Sequence, residues 1–268
     1  MVATAPRTGY APVNGLNMYY EIHGAGHPLL LLHGAFMTLD HWGSLLPRLA
    51  QSRQVVAVEL QAHGRTADIA RPLRMELMAG DAAALLRHLE VEEADVFGYS
   101  LGAGVALQMA MRYPELVRKL AVASVSVNRD GLQPGVLDGI QAITPDVFVG
   151  SPWHDAYLRV APNPDDFATL VEKIKQLNGA IQDLPREAVR AIPAPTLVIA
   201  GDADIVQPEH AVELFRLRGG GGPGDMAGLS PAQLAVLPGT THVSLIERAD
   251  WLAAMIAAFL DAPLPGAE

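Results

Sequence analysis

Cysteine is missing from all 268 residues. No disulfide framework, thiol nucleophile or thiolate metal ligand can be built from this chain. Lysine occurs only three times, no Lys/Arg cluster exists, and the formal net charge is −10. A surface that neutralises nucleic-acid phosphates is therefore not expected. No Gly-x-Gly-x-x-Gly stands between a strand and a helix, as a dinucleotide fingerprint must, and no residue set reads as a metal site, so no cofactor and no metal are expected. Long apolar runs are also lacking. Pro28–Leu32 is far too short to span a bilayer, and the apolar stretch Trp251–Leu260 reads as a docked helix. Met1–Arg7 lacks the basic-then-apolar plan of a secretory signal. The expectation is a soluble cytoplasmic protein with no membrane partner and no readable oligomeric state.

What the chain does contain is core material. Half of the residues are hydrophobic and 18% are charged, enough for one large α/β domain or two small ones. Gly15–Glu21 alternates like a half-buried strand. Pro28–Leu32, Gln54–Leu60, Ala94–Phe97, Leu120–Val125, Pro195–Ala200 and Gln233–Leu237 are continuous apolar runs of the kind buried parallel strands show. Helical spacing over Leu77–Leu89, Ala103–Ala110 and Glu209–Leu217 falls between them. Strands alternating with helices predict an α/β fold: a mostly parallel, doubly wound sheet covered on both faces. The rhythm stops between Ser126 and Ala191, where short helical patterns (Val136–Ile143, Trp153–Val160, Asp165–Leu177) are punctuated by Pro134, Pro145, Pro152, Pro162 and Pro164. That predicts a small helical cap over 126–191, inserted into a core domain formed by 1–125 and 192–268. Gly219–Gly224 reads as a flexible surface loop.

Gly98-Tyr99-Ser100-Leu101-Gly102 lies between an apolar run and a helical one. It predicts a strand, a tight turn and a helix, with a serine pushed out at the apex. A serine hydroxyl becomes nucleophilic only beside a base that is itself oriented by a third group. Downstream, the Pro195–Ala200 strand runs into Asp202 and Asp204, and the last strand runs into His242. All lie just past the carboxyl ends of strands, the edge where open α/β sheets build their sites. Asp130, past the Leu120–Val125 strand, is a third candidate for the acid.

With these residues the chain resembles the α/β-hydrolase superfamily almost end to end, from about Tyr10 to Leu260, in its capped esterase, C–C hydrolase and perhydrolase-like branch. The family pattern Gly-x-x-Asp-x-x-x-Pro matches Gly201, Asp204 and Pro208, which makes Asp204 the acid and leaves Asp202 to close a loop. His242 matches the base, and His33-Gly34-Ala35-Phe36 matches the His-Gly oxyanion segment. Gln61–Thr66 resembles a loop that is usually structural, with Gln61 and Ala62 departing from its pattern.

The resemblance implies that Ser100 attacks a carbonyl carbon, His242 takes its proton and Asp204 orients the imidazole. It implies the backbone N–H groups of Leu101 and Ala35 as oxyanion donors, with Phe36 as the alternative second donor. His33 is expected to fix that loop. Phe36, Met37, Tyr99, Phe148, Trp153 and Tyr157 are candidates for an acyl pocket, or plain core. His154, in the cap, is a minor candidate for substrate contact. It, His23, His27, His41, His63, His88 and His210 are otherwise expected at the surface or in loops.

The expected activity is a serine hydrolase acting on small to medium carboxylic esters. C–C, lactone or peroxy chemistry on the same triad is the alternative, and a ligand receptor on this fold a more distant one. Ser100 argues against epoxide hydrolase and dehalogenase chemistry, which needs a carboxylate at that position.

Overall fold

The computed structural model describes residues 5–180 and 183–264. The Met1–Thr4 part of the secretory-signal expectation lies outside the described residues.

β1 (Arg7–Val13) and β2 (Leu16–His23) form an antiparallel hairpin. Its turn is Asn14-Gly15, with φ of 48° and 85°, the left-handed pair that a two-residue hairpin loop needs. β3 (His27–Leu32) is followed by the short α1 (Leu45–Leu49) and by β4 (Arg53–Val58). α2 (Met75–His88), β5 (Ala94–Tyr99), α3 (Leu101–Arg112) and β6 (Val117–Ala123) come next. Between β6 and β7 (Thr196–Ala203) lie only helices: α4 (Val136–Ala142), α5 (Pro152–Val160), α6 (Phe167–Gly179) and α7 (Arg186–Arg190), with short 3-10 turns. α8 (Pro208–Leu217), α9 (Gly224–Ala227), β8 (Ala232–Thr241) and α10 (Ala249–Asp261) complete the chain. The loop expectation for Gly219–Gly224 holds up to α9, which begins at Gly224 itself.

The eight strands form one sheet in the order β1-β2-β4-β3-β5-β6-β7-β8. Only β2 runs against its neighbours; every pair from β4 to β8 is parallel. Alternate residues feed two cores. Val96, Leu120 and Val198 face α2, α3 and α8 with Met78, Val105 and Leu214, while Phe97, Ala121 and Leu197 face α1 and α10 with Leu45, Leu252 and Ile256. This is the mostly parallel, doubly wound α/β fold that the alternating runs predicted.

The amino ends of the strands are tied by charge. Asp95, fully buried, accepts two bonds from Arg118 (2.8 and 2.7 Å) and one from Arg53 (3.3 Å). The buried Lys119 ammonium donates to the carbonyls of Phe259 (2.9 Å) and Leu260 (3.1 Å), capping the end of α10. Asp95→Ala would take their shared acceptor from two guanidinium groups, leaving Arg53 its pair with Asp261 and Arg118 the Leu260 carbonyl. A loss of about 3–5 kcal/mol is expected, read as a lower urea midpoint with an unchanged slope; a loss under 1 kcal/mol would mean the cluster carries little stability.

Candidate active site

Five adjacent parallel strands, β3, β5, β6, β7 and β8, each end beside one place on the sheet's carboxyl edge. There β5 delivers Ser100, β6 Ser124, β7 Asp204 and β8 His242, and the loop after β3 brings Ala35.

Ser100 sits at φ 53°, ψ −117° between β5 and α3. The turn closes because Gly98 and Gly102 have no side chains. A methyl at Gly98 would enter the Gly102 carbonyl, and one at Gly102 would enter the carbonyls of Leu32 and His33. Leu101 opens α3, so its N–H has no acceptor within the helix and is free for a ligand. Phe36 (φ 64°) and Ser124 (φ 55°) are also left-handed. Three strained non-glycine residues thus meet at one cavity, each at a typical cost of about 1–3 kcal/mol that a functional site justifies.

Ser100 Oγ lies 3.0 Å from His242 Nε2, and His242 Nδ1 lies 2.8 Å from Asp204 Oδ1. With Nδ1–H donating to the carboxylate, Nε2 presents its lone pair to the serine hydroxyl. Asp204 is buried and well supplied with donors. Val206 N (3.3 Å) also reaches Oδ1, while Gly201 N (3.4 Å) and the Ser124 hydroxyl reach Oδ2. Burial pushes its carboxyl pKa up, but the bonds from His242 and Ser124 and the charge of His242 hold it below the usual value. The carboxylate is therefore ionised throughout the neutral range. Tyr99 donates its hydroxyl to the His242 carbonyl at 2.7 Å, fixing the backbone of the histidine, and burial raises its pKa well above the ordinary range.

Asp202 was expected to close a loop, but it lies within the end of β7 and ties that strand to β8. Its carboxylate accepts from Gly239 N (2.9 Å) and Thr240 N (3.0 Å), just before His242. Asp130 is exposed in a 3-10 turn after β6, where its carbonyl accepts from Gln207; among the described residues it makes no bond to His242.

The segment carrying Ala35 is clamped from below. His33 Nε2 accepts from Leu60 N at 3.0 Å, so Nδ1–H donates to the Gly34 carbonyl at 2.7 Å. Buried Glu59 accepts from Leu39 N (3.1 Å) and from Arg65 Nη1 (2.9 Å), linking this segment to the Gln61–Thr66 loop.

Two of the histidines expected at the surface or in loops are buried. His63 is a loop residue, but a fully enclosed one. His210 lies on α8, where it accepts from Val127 N at 2.9 Å and pins the segment after β6. The His210 ring is satisfied by a main-chain partner from a distant segment, whereas His63 Nδ1 meets the Gln61 carbonyl two residues away at 2.9 Å. Burial lowers the His63 pKa to about 4 and the His33 pKa well below its ordinary 6.5. Between pH 6.5 and 4 the unfolded chain therefore takes up protons that the folded chain refuses. Stability is expected to fall over that window, by about 2–3 kcal/mol from His63 alone at pH 4.5. Urea midpoints at pH 7 and 4.5 measure this, and His63→Gln should narrow the difference; a difference the same in both proteins would contradict it.

Above the serine lies a cavity of about 380 Å³, a size that suits a small molecule. Ala35, Phe36, Met37, Tyr99, Leu101, Phe148 and Trp153 line it, as do Ser100 and His242. Tyr157 and His154 are not among its lining residues; both pack against Phe167, at 5.2 and 4.8 Å between ring centres. Sequence reasoning missed Ser124, Ser126, Ile140, Ile174, Asn178 and Val206. Only Ser124, ending an apolar run on the same edge as Ser100, left a signal that could have been used. Among the described residues no group of three or more His, Asp or Glu side chains could hold a metal ion, and no helix is long and apolar enough to cross a membrane.

The chain belongs to the alpha/beta hydrolase family, whose model matches residues 29–255. It is similar to the 2-hydroxymuconate semialdehyde hydrolase of Pseudomonas sp. (strain CF600), at 29% identity over 92% of this chain and 91% of that protein. It is also similar to a non-heme haloperoxidase of Rhodococcus erythropolis, at 28% identity over 92% of this chain and 97% of that one. Among solved structures, E-2-(acetamidomethylene)succinate hydrolase superposes with a TM-score of 0.78 at 20% identity, covering 96% of this chain and all of that one (100%). The protein is thus a hydrolase-family member, and the names of these relatives record different reactions.

Proposed function

We propose that this chain is a serine hydrolase that cleaves small to medium carboxylic esters through an acyl-enzyme, with Ser100 as nucleophile, His242 as base and Asp204 as acid. The observation that carries the reading is the unbroken relay Ser100 Oγ–His242 Nε2 (3.0 Å) and His242 Nδ1–Asp204 Oδ1 (2.8 Å). His242 Nε2 takes the Ser100 proton as Oγ attacks the ester carbonyl. The oxyanion forms beside the N–H groups of Leu101 and Ala35, and losing one such donor typically costs roughly 3–4 kcal/mol of transition-state stabilisation. As the tetrahedral intermediate collapses, His242 gives the proton to the departing alkoxide. Water then enters, His242 takes one of its protons, and the acid product leaves with Ser100 restored. Asp204 stabilises the imidazolium in both halves. The helices between β6 and β7 act as a cap whose residues, Phe148 and Trp153 among them, shape the acyl pocket over this machinery.

A second reading rests on the similarity to the semialdehyde hydrolase, which extends along nearly the whole chain. In it the same three residues cleave a C–C bond of a vinylogous diketone. Turnover of p-nitrophenyl acetate or butyrate, with a single phenylmethanesulfonyl adduct on the peptide carrying Ser100, supports the ester reading. An adduct elsewhere removes Ser100 from its role. No ester turnover alongside cleavage of a dienoate moves the activity to the C–C bond.

A further inference from the structure

We infer that the acyl pocket favours uncharged acyl groups and rejects those that carry a second carboxylate. The inference rests on the hydrolase reading above and adds a substrate class to it.

The lining of the 380 Å³ cavity carries no Asp, Glu, Lys or Arg among the described residues. Much of its wall is aliphatic, with Leu132, Val136, Ile140, Ile174, Leu177 and Val206 among the lining residues. The few polar side chains there are already engaged. The Ser124 hydroxyl donates to Asp204, the Ser126 hydroxyl donates to the Asn128 carbonyl, and the Tyr99 hydroxyl donates to the His242 carbonyl. Asn178, facing in from α6, spends a donor on the Ile174 carbonyl at 2.9 Å.

Two cations of the helical segment are committed elsewhere. Lys173 is held by Asp68 at 2.5 Å and by the carbonyls of Ile69 (2.9 Å) and Arg71 (2.8 Å). Arg159 pairs with Asp40 at 2.7 Å. A carboxylate drawn into this cavity would leave water and find no partner charge, which costs several kcal/mol. The buried Asp204 carboxylate and the net charge of −10 add to the repulsion. An apolar acyl chain meets none of these costs and gains from burial.

The test uses the full chain and three p-nitrophenyl esters of matched length. They are 6-methylheptanoate, hydrogen adipate and methyl adipate. The branched end of the first has the shape of the carboxylate in the second, and the third replaces the charge with a neutral ester. At pH 8 the acid-bearing ester should show kcat/KM lower than its apolar isostere by roughly 100-fold or more. The methyl adipate should lie within about tenfold of the isostere, since it adds polar atoms without charge. Ile140, on the solvent-facing helix α4, then supplies a second arm. Ile140→Lys should raise the ratio of adipate to isostere by roughly tenfold. Equal kcat/KM for acid and isostere overturns the inference, as does an unchanged ratio in a folded Ile140→Lys protein. Hydrolysis of none of the three esters overturns the ester-hydrolase reading instead, so the two are told apart.

Discussion

Replacing Ser100 by alanine is expected to lower kcat on p-nitrophenyl butyrate by about 10⁶-fold, the scale seen when the nucleophile of a serine triad is removed. Among the described residues, the Ser100 hydroxyl is the side-chain partner of His242 Nε2, at 3.0 Å. The fold should survive. Ser100 already holds φ at 53° with a Cβ, so alanine adds no new backbone strain, and the melting temperature should move by no more than a few degrees. Steady-state hydrolysis and thermal unfolding on the same preparation measure both quantities. Activity within tenfold of the unaltered protein would remove Ser100 from the mechanism.

Asp204→Asn is expected to cost about 10⁴-fold in kcat, again with the fold retained. The asparagine amide can donate where the carboxylate accepts, so His242 Nδ1 loses its acceptor and the imidazole settles in the wrong tautomer. Ser124→Ala should cost less, because it removes one of several donors to the same carboxylate. Asp202→Asn and Asp130→Asn are the controls. Asp202 bonds to Gly239 and Thr240, and Asp130 lies on an exposed turn, so neither should approach the loss at Asp204. All four variants are to be compared on one ester at one pH. If Asp130→Asn is crippled and Asp204→Asn is near normal, the acid lies after β6.

The strands that build the site were legible because each is a short apolar run with a turn behind it. Their ends moved by a few residues: the Gln233–Leu237 run became β8 over Ala232–Thr241, since ladder pairing with β7 carries the extended backbone as far as Ala203↔Thr241. β1 was overlooked. Arg7–Val13 is mixed and half exposed, and it becomes a strand by pairing with β2. Asn14-Gly15 was the one local signal that could have disclosed it. Asp202 and Asp204 were separated by resemblance and by their spacing from the apolar run, because two carboxylates two residues apart look alike until their partners are known. The structure separates them by what they touch: backbone N–H groups before His242 for one, the imidazole itself for the other.

Composition and local pattern by themselves determined the α/β class, the serine at a strand-to-helix turn, the order serine–carboxylate–histidine, and the break in rhythm between β6 and β7. These follow from periodicity and from residue types at turns, which depend on neighbours a few positions away. Only the tertiary structure decided which oxygen of Asp204 meets which donor, that Ser124 is one of them, that Tyr99 braces His242, and that His63 and His210 are buried. It alone decided that the cavity wall is apolar and uncharged. Each of those is a contact between segments far apart in the chain, brought together by sheet order and by the packing of α4 and α6 over the sheet edge. A local pattern carries no record of what will lie opposite a side chain once the strands have paired.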